Sequence, residues 1–83
     1  MEKKRSGTRL KITERALIQR INRKLKQDGE QLRAARSQRM ETSVGRHYIV
    51  NVERNFIAYQ NVDPEELGRK LGVIQPWEEL EAE

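Results

Sequence analysis

The chain has 83 residues, 36% of them charged, 35% hydrophobic and 5% aromatic, with no cysteine and a formal net charge of +4. That length holds one domain near the lower limit for independent folding, with a thin core that a partner or a second copy would help to complete. The missing cysteines exclude disulfide staples, a thiol nucleophile and thiolate metal sites, and they favour a cytoplasmic setting, that of a small bacterial-type protein.

The charge is unevenly spread. Residues 1–47 hold 14 Lys and Arg against 5 Asp and Glu, a balance of +9. Residues 48–83 hold 3 against 8, a balance of −5. Such a split predicts a basic surface for an anionic partner and a separate acidic end. No run approaches the roughly 20 apolar residues needed to cross a bilayer, so no membrane role is expected. The opening Met-Glu-Lys-Lys-Arg-Ser-Gly has the charge of a signal peptide without the apolar run that would follow one.

Residues 1–12 read as a flexible basic arm, in which Leu10 and Ile12 alternate with Arg9 and Lys11 as a short extended entry. Residues 13–80 read as the folded domain and 81–83 as an acidic end. Thr13 is suited to cap a helix, and Glu14 suits the positive end of its dipole. Leu17, Ile18, Ile21 and Leu25 then recur at spacings of three and four, one apolar stripe amid Arg15, Arg20, Arg23, Lys24 and Lys26. Asp28-Gly29 is a stop signal, because glycine tolerates the left-handed backbone that ends helices. The expected helix is 14–27.

The strong helix formers of 30–41 predict a second helix, or an extension of the first, with Arg33, Arg36 and Arg39 along one side. Thr42, Ser43 and Gly45 break that pattern. From His47 the period becomes two, with Tyr48, Val50 and Val52 alternating against Ile49 and Asn51, which reads as a strand. Glu53-Arg54-Asn55 reads as a turn and 56–59 as a second strand, giving a lone hairpin near 46–60. Asp63-Pro64-Glu65-Glu66 starts a capped helix whose buried face is Leu67 and Leu71 and whose end is Gly72. Val73 and Ile74 should pack on the core, and Pro76 should begin an acidic turn or short helix containing Trp77 and Leu80. Trp77 reads as folding back beside Ile74 and Leu80, with a binding hot spot as the alternative. The fold class is α+β: a basic N-terminal helix, or two helical segments, a β-hairpin, a short capped C-terminal helix and an acidic tail.

Leu67-Gly68-Arg69-Lys70-Leu71-Gly72-Val73 resembles the first helix and turn of helix-turn-helix proteins. A recognition helix would then fall on Pro76–Glu83, which carries four glutamates and no base. A major-groove helix needs cations, so the short amphipathic helix is the better reading. His47, the one histidine, is expected at the surface at a strand start. It has neither the ligand spacing of a zinc site nor the companions of a general base. Adjacent carboxylates at 65–66 and 78–79 point in different directions and make no acid–base dyad.

The expected function is therefore non-catalytic binding without a cofactor, a metal or a small-molecule ligand. Nucleic acid or another polyanion is the first partner, with Arg20, Arg23, Lys24, Arg33, Arg36 and Arg39 as contacts, since a planar guanidinium binds phosphate through two hydrogen bonds. The alternative is a homodimer or a module that completes a protein partner, joined through the apolar stripe of the first helix or the open hairpin edge.

Overall fold

A computed structural model describes residues 10–81. Their order is β1 (Leu10–Ile12), α1 (Glu14–Leu25), a single 3-10 turn (Lys26–Asp28), β2 (Glu30–Ala34), α2 (Gln38–Val44), β3 (His47–Asn51), β4 (Phe56–Tyr59), α3 (Pro64–Leu71) and β5 (Glu78–Leu80). This is an α+β chain with a three-stranded antiparallel sheet in the order β2-β3-β4 and a separate parallel pair, β1 with β5.

The first helix forms where its sequence places it. The Thr13 hydroxyl accepts the Ala16 N–H at 3.0 Å, satisfying one of the orphan amides of the first turn. Arg23 and Lys24 sit in the last turn, where they suit the negative end of the dipole. The 3-10 turn then tightens the chain, and Gly29 at φ 71° ends it in the left-handed region.

The second helix expected over 30–41 is not there. Residues 30–34 are strand β2, and the helix comes later, at Gln38–Val44, opened by the Ser37 hydroxyl accepting the Met40 N–H. Tertiary pairing overrides local propensity at this point. β2 aligns antiparallel with β3, Leu32 opposite Ile49 and Arg33 opposite Tyr48, and Leu32 is driven to 2% exposure beneath α1. The hairpin expected near 46–60 does form, with Asn55 at φ 59° in its turn, but β2 makes it part of a larger sheet rather than a lone ribbon. Ala58 is the extra residue of a bulge, since Ile49 faces Tyr59 while Val50 faces Ile57.

The third helix starts as its sequence indicates. The Asp63 carboxylate accepts the Glu65 and Glu66 N–H groups at 3.0 and 3.4 Å, and Pro64 occupies the first helical position. Beyond it the chain departs from expectation again. The acidic segment after Pro76 is strand β5, not a turn or helix, and it runs parallel to β1 with Leu10, Lys11 and Ile12 aligned to Glu78, Glu79 and Leu80. The recognition helix of the helix-turn-helix resemblance is thus absent from its place. The last three residues of the arm expected over 1–12 are strand β1; the rest of the arm lies outside the described residues.

Leu17 and Ile21 of α1 are fully buried, and Ile12, Leu25, Leu32, Ile49 and Ile74 close around them. The apolar stripe of α1, the alternative interface, is therefore spent on the core. α3 lies against α1 at Gly68, where an added Cβ would stand 2.8 Å from Leu17 Cδ1 and 2.9 Å from Ile74 Cδ1. Any side chain at this position would force Leu17 or Ile74 to shift. No helix among the described residues is long and apolar enough to cross a membrane.

Candidate functional site

The six basic residues expected to act together fall in three places. Arg20, Arg23 and Lys24 lie on α1, spaced so that with Gln27 they form a second stripe beside the buried one. Arg33 is on β2. Because Leu32 faces α1, its neighbours Gln31 and Arg33 point to the other side of the sheet. There Arg33 and Arg36 line a depression with Gln31, Ala34 and Tyr48, and Arg33 donates to Gln31 Oε1 at 2.9 Å. Arg39 is exposed on α2. The helical row of Arg33, Arg36 and Arg39 does not exist, because strand, loop and helix carry one residue each.

Arg20 is committed internally. Its guanidinium grips Glu78 with both nitrogens, Nη1 to Oε1 at 2.7 Å and Nη2 to Oε2 at 3.1 Å, and Nη1 also donates to the Val73 carbonyl at 2.9 Å. The Gln75 N–H adds a bond to Glu78 Oε1 at 2.9 Å. Hydrogen bonding from Arg20, and then from the Gln75 amide, holds the Glu78 carboxyl below its usual range. The bond to Glu78 in turn raises the Arg20 guanidinium further above neutrality. Glu79 reaches Lys11 Nζ at 3.4 Å across the β1–β5 pair. Two of the tail's glutamates are thus engaged with cations of the basic half.

What remains around Arg20 is an open groove of about 520 Å³ between α1 and the segment leading into β5, lined by Arg20, Arg23, Lys24, Gln27, Val73, Gln75, Trp77 and Glu78. Trp77 does not fold back beside Ile74 and Leu80. It is 56% exposed, while Ile74 is buried without it. Its backbone is fixed because its carbonyl accepts the Leu10 N–H at 2.8 Å, the first rung between the β1 and β5 segments. The indole is presented to solvent beside Arg23 and Lys24, neither of which has an ion-pair partner among the described residues. An exposed aromatic face next to two cations, with the nearest carboxylate neutralised by Arg20, offers stacking and anion binding in one place.

His47 is not at the surface. It is 5% exposed, its Nε2 lies 3.8 Å from Glu14 Oε1, and that nitrogen has no hydrogen-bond partner. It occupies a core position at the start of β3. Among the described residues no three His, Cys, Asp or Glu side chains come together as metal ligands.

Of the two readings of Trp77, core and binding hot spot, the sequence favours the core, and its exposure overturns that preference. Its signal was present in Gln75-Pro76-Trp77, where proline stops α3 from continuing and leaves the indole outside any amphipathic pattern. The pairing of β5 with β1, which carries Trp77 to the α1 stripe, spans most of the chain and leaves no local trace. Comparison with protein-family models, with curated proteins and with solved structures finds no match.

Proposed function

We propose that this chain is a non-catalytic binding protein for single-stranded nucleic acid, held in the groove of Arg23, Lys24 and Trp77. The observation that carries the reading is the position of Trp77, the one tryptophan of the chain, exposed beside two cations of the α1 stripe. A base stacks on the indole while the flanking phosphates meet Arg23 and Lys24. Stacking of this kind is worth about 1–3 kcal/mol per base and tolerates every base, because each has a π-face. Recognition is then backbone-directed and weakly sequence-specific. The interleaving of aromatic and basic residues, missing from the linear sequence, is supplied by the fold.

Arg20 and Glu78 serve as the wall of this groove. Their mutual pairing keeps Glu78 from repelling phosphate and fixes the turn that bears Trp77, just before β5. The overall balance of +4 adds a long-range attraction for polyanions. A gel-shift series with a single-stranded oligonucleotide tests the reading. Binding is expected at low salt and should weaken steadily as salt rises; no shift at the lowest salt would refute it.

A further inference from the structure

A second groove, of about 540 Å³, lies between the end of α1, the loop from β4 into α3, and α3 itself. It shares no lining residue with the Trp77 groove. Buried Leu25 forms its floor, and Val62, Leu67 and Leu71, only partly covered by the core, form its walls. Its charge is opposite to that of the chain. Asp28, Glu30, Asp63 and Glu66 line it against Lys70 alone, a balance of −3 on a chain of net charge +4. None of the four carboxylates has an ion-pair partner among the described residues, although Asp63 also caps α3. Among the described residues no three acidic side chains gather closely enough to hold a metal ion. The negative charge is therefore spread along the rim and not focused on a point.

We propose that this groove docks a basic amphipathic peptide segment of a partner protein, with apolar side chains against Leu67 and Leu71 and lysines or arginines against the carboxylates. Each feature of the groove selects that chemistry. Its aliphatic walls are stabilised by apolar side chains that remove them from water. Its spaced carboxylates complement cations carried at intervals along a chain, where a single ion would meet only one of them. Tyr59, 59% exposed, offers a ring face to one of those cations. The groove is open on one side, so it takes the side chains of a longer segment and leaves the backbone of that segment in water. The same balance of charge repels phosphate, so nucleic acid at Trp77 does not compete for this surface. The two grooves take partners of opposite charge and are tested separately.

Fluorescence anisotropy of a labelled peptide of alternating leucine and lysine, titrated with the full chain at low salt, tests the proposal. Saturable binding is expected, with NMR amide shifts gathered at residues 60–71 and Trp77 emission unchanged. Asp28→Asn/Glu66→Gln, at two exposed positions, should weaken binding about fivefold or more, the size of two partly exposed ion pairs. Glu41→Gln/Glu81→Gln raises the net charge equally at exposed positions outside the groove and should bind like the natural chain. The counterpart peptide with glutamate in place of lysine should not bind. No saturable binding of the lysine peptide, equal binding of the glutamate peptide, equal loss in both double variants, or shifts centred on another face would each overturn the proposal. So would shifts at 60–71 without peptide: growing with protein concentration, they would make a second copy the occupant; changing with salt alone, they would make it the chain's own basic residues 1–9.

Discussion

Arg20 and Glu78, 58 residues apart in sequence, join through two parallel hydrogen bonds of 2.7 and 3.1 Å and thereby tie the first helix to the last strand. The Glu78 carboxyl titrates below its usual range because Arg20 and the Gln75 amide stabilise the ionised form. A depressed folded-state pKa contributes stability above the unfolded value, near 4.3 for glutamate, and loses it as pH falls through the folded value. Thermal melts should therefore show a loss of stability on acidification below about pH 4. Glu78→Gln should be less stable than the natural chain at pH 7 and should lose less on acidification. Equal acid dependence in the two proteins would contradict the assignment.

Asn22 satisfies both backbone groups of Leu32, a residue at 2% exposure. Asn22→Ala leaves those groups without their partner, and an unsatisfied buried donor or acceptor costs about 1–3 kcal/mol. Urea unfolding should show a loss in that range. A variant as stable as the natural chain would mean that water replaces the amide without penalty.

Gly68 is a helix-interior position where alanine normally gains about 1 kcal/mol. Here the added methyl would meet Leu17, which is fully buried and has little room to yield. Overpacking of a filled core costs about 1–3 kcal/mol, so Gly68→Ala should lower the urea midpoint despite the better helix former. A raised midpoint would show that α1 and α3 separate more easily than their packing implies.

Trp77 should separate binding from stability. At 56% exposure it contributes little to the core, and Trp77→Ala should melt within about 0.5 kcal/mol of the natural chain, the usual range for surface substitutions. The same variant should bind a labelled single-stranded oligonucleotide roughly tenfold or more weakly, from the loss of about 1–3 kcal/mol of stacking. Large destabilisation with unchanged binding would reverse the roles assigned to this residue.

The parts of the fold legible in the sequence are those with local causes. Thr13, Gly29, Asp63-Pro64 and Gly72 mark helix ends through their own backbone and side-chain chemistry, and α1 and α3 lie where these residues place them. β3 was readable because Tyr48, Ile49 and Val50 are β-formers in an alternating run. β2 was hidden because Glu30-Gln31-Leu32-Arg33-Ala34 has helix-favouring composition and only one large apolar residue, so neither its period nor its propensity announces a strand. Its conformation comes from β3 and from Asn22, both distant in sequence. β5 was hidden for the same reason, as its three residues acquire a strand identity only beside β1. The candidate site followed suit. Arg23 and Lys24 are visible as part of a basic helix, the partner of Arg20 lies at the far end of the chain, and the choice for Trp77 between core and hot spot turns on a core that closes without it.

The most direct test uses the chain's single tryptophan as its own reporter. Trp77 emission is titrated with a single-stranded oligonucleotide at rising salt. Saturable quenching is expected, with two phosphate contacts giving a log–log salt slope of about −1.4, or a roughly sevenfold loss of affinity between about 50 and 200 mM salt. The double variant Arg23→Ala/Lys24→Ala should lose that salt dependence together with most of the affinity. Unchanged Trp77 emission at the lowest salt, or quenching that is indifferent to both salt and the double variant, would contradict nucleic-acid binding in this groove.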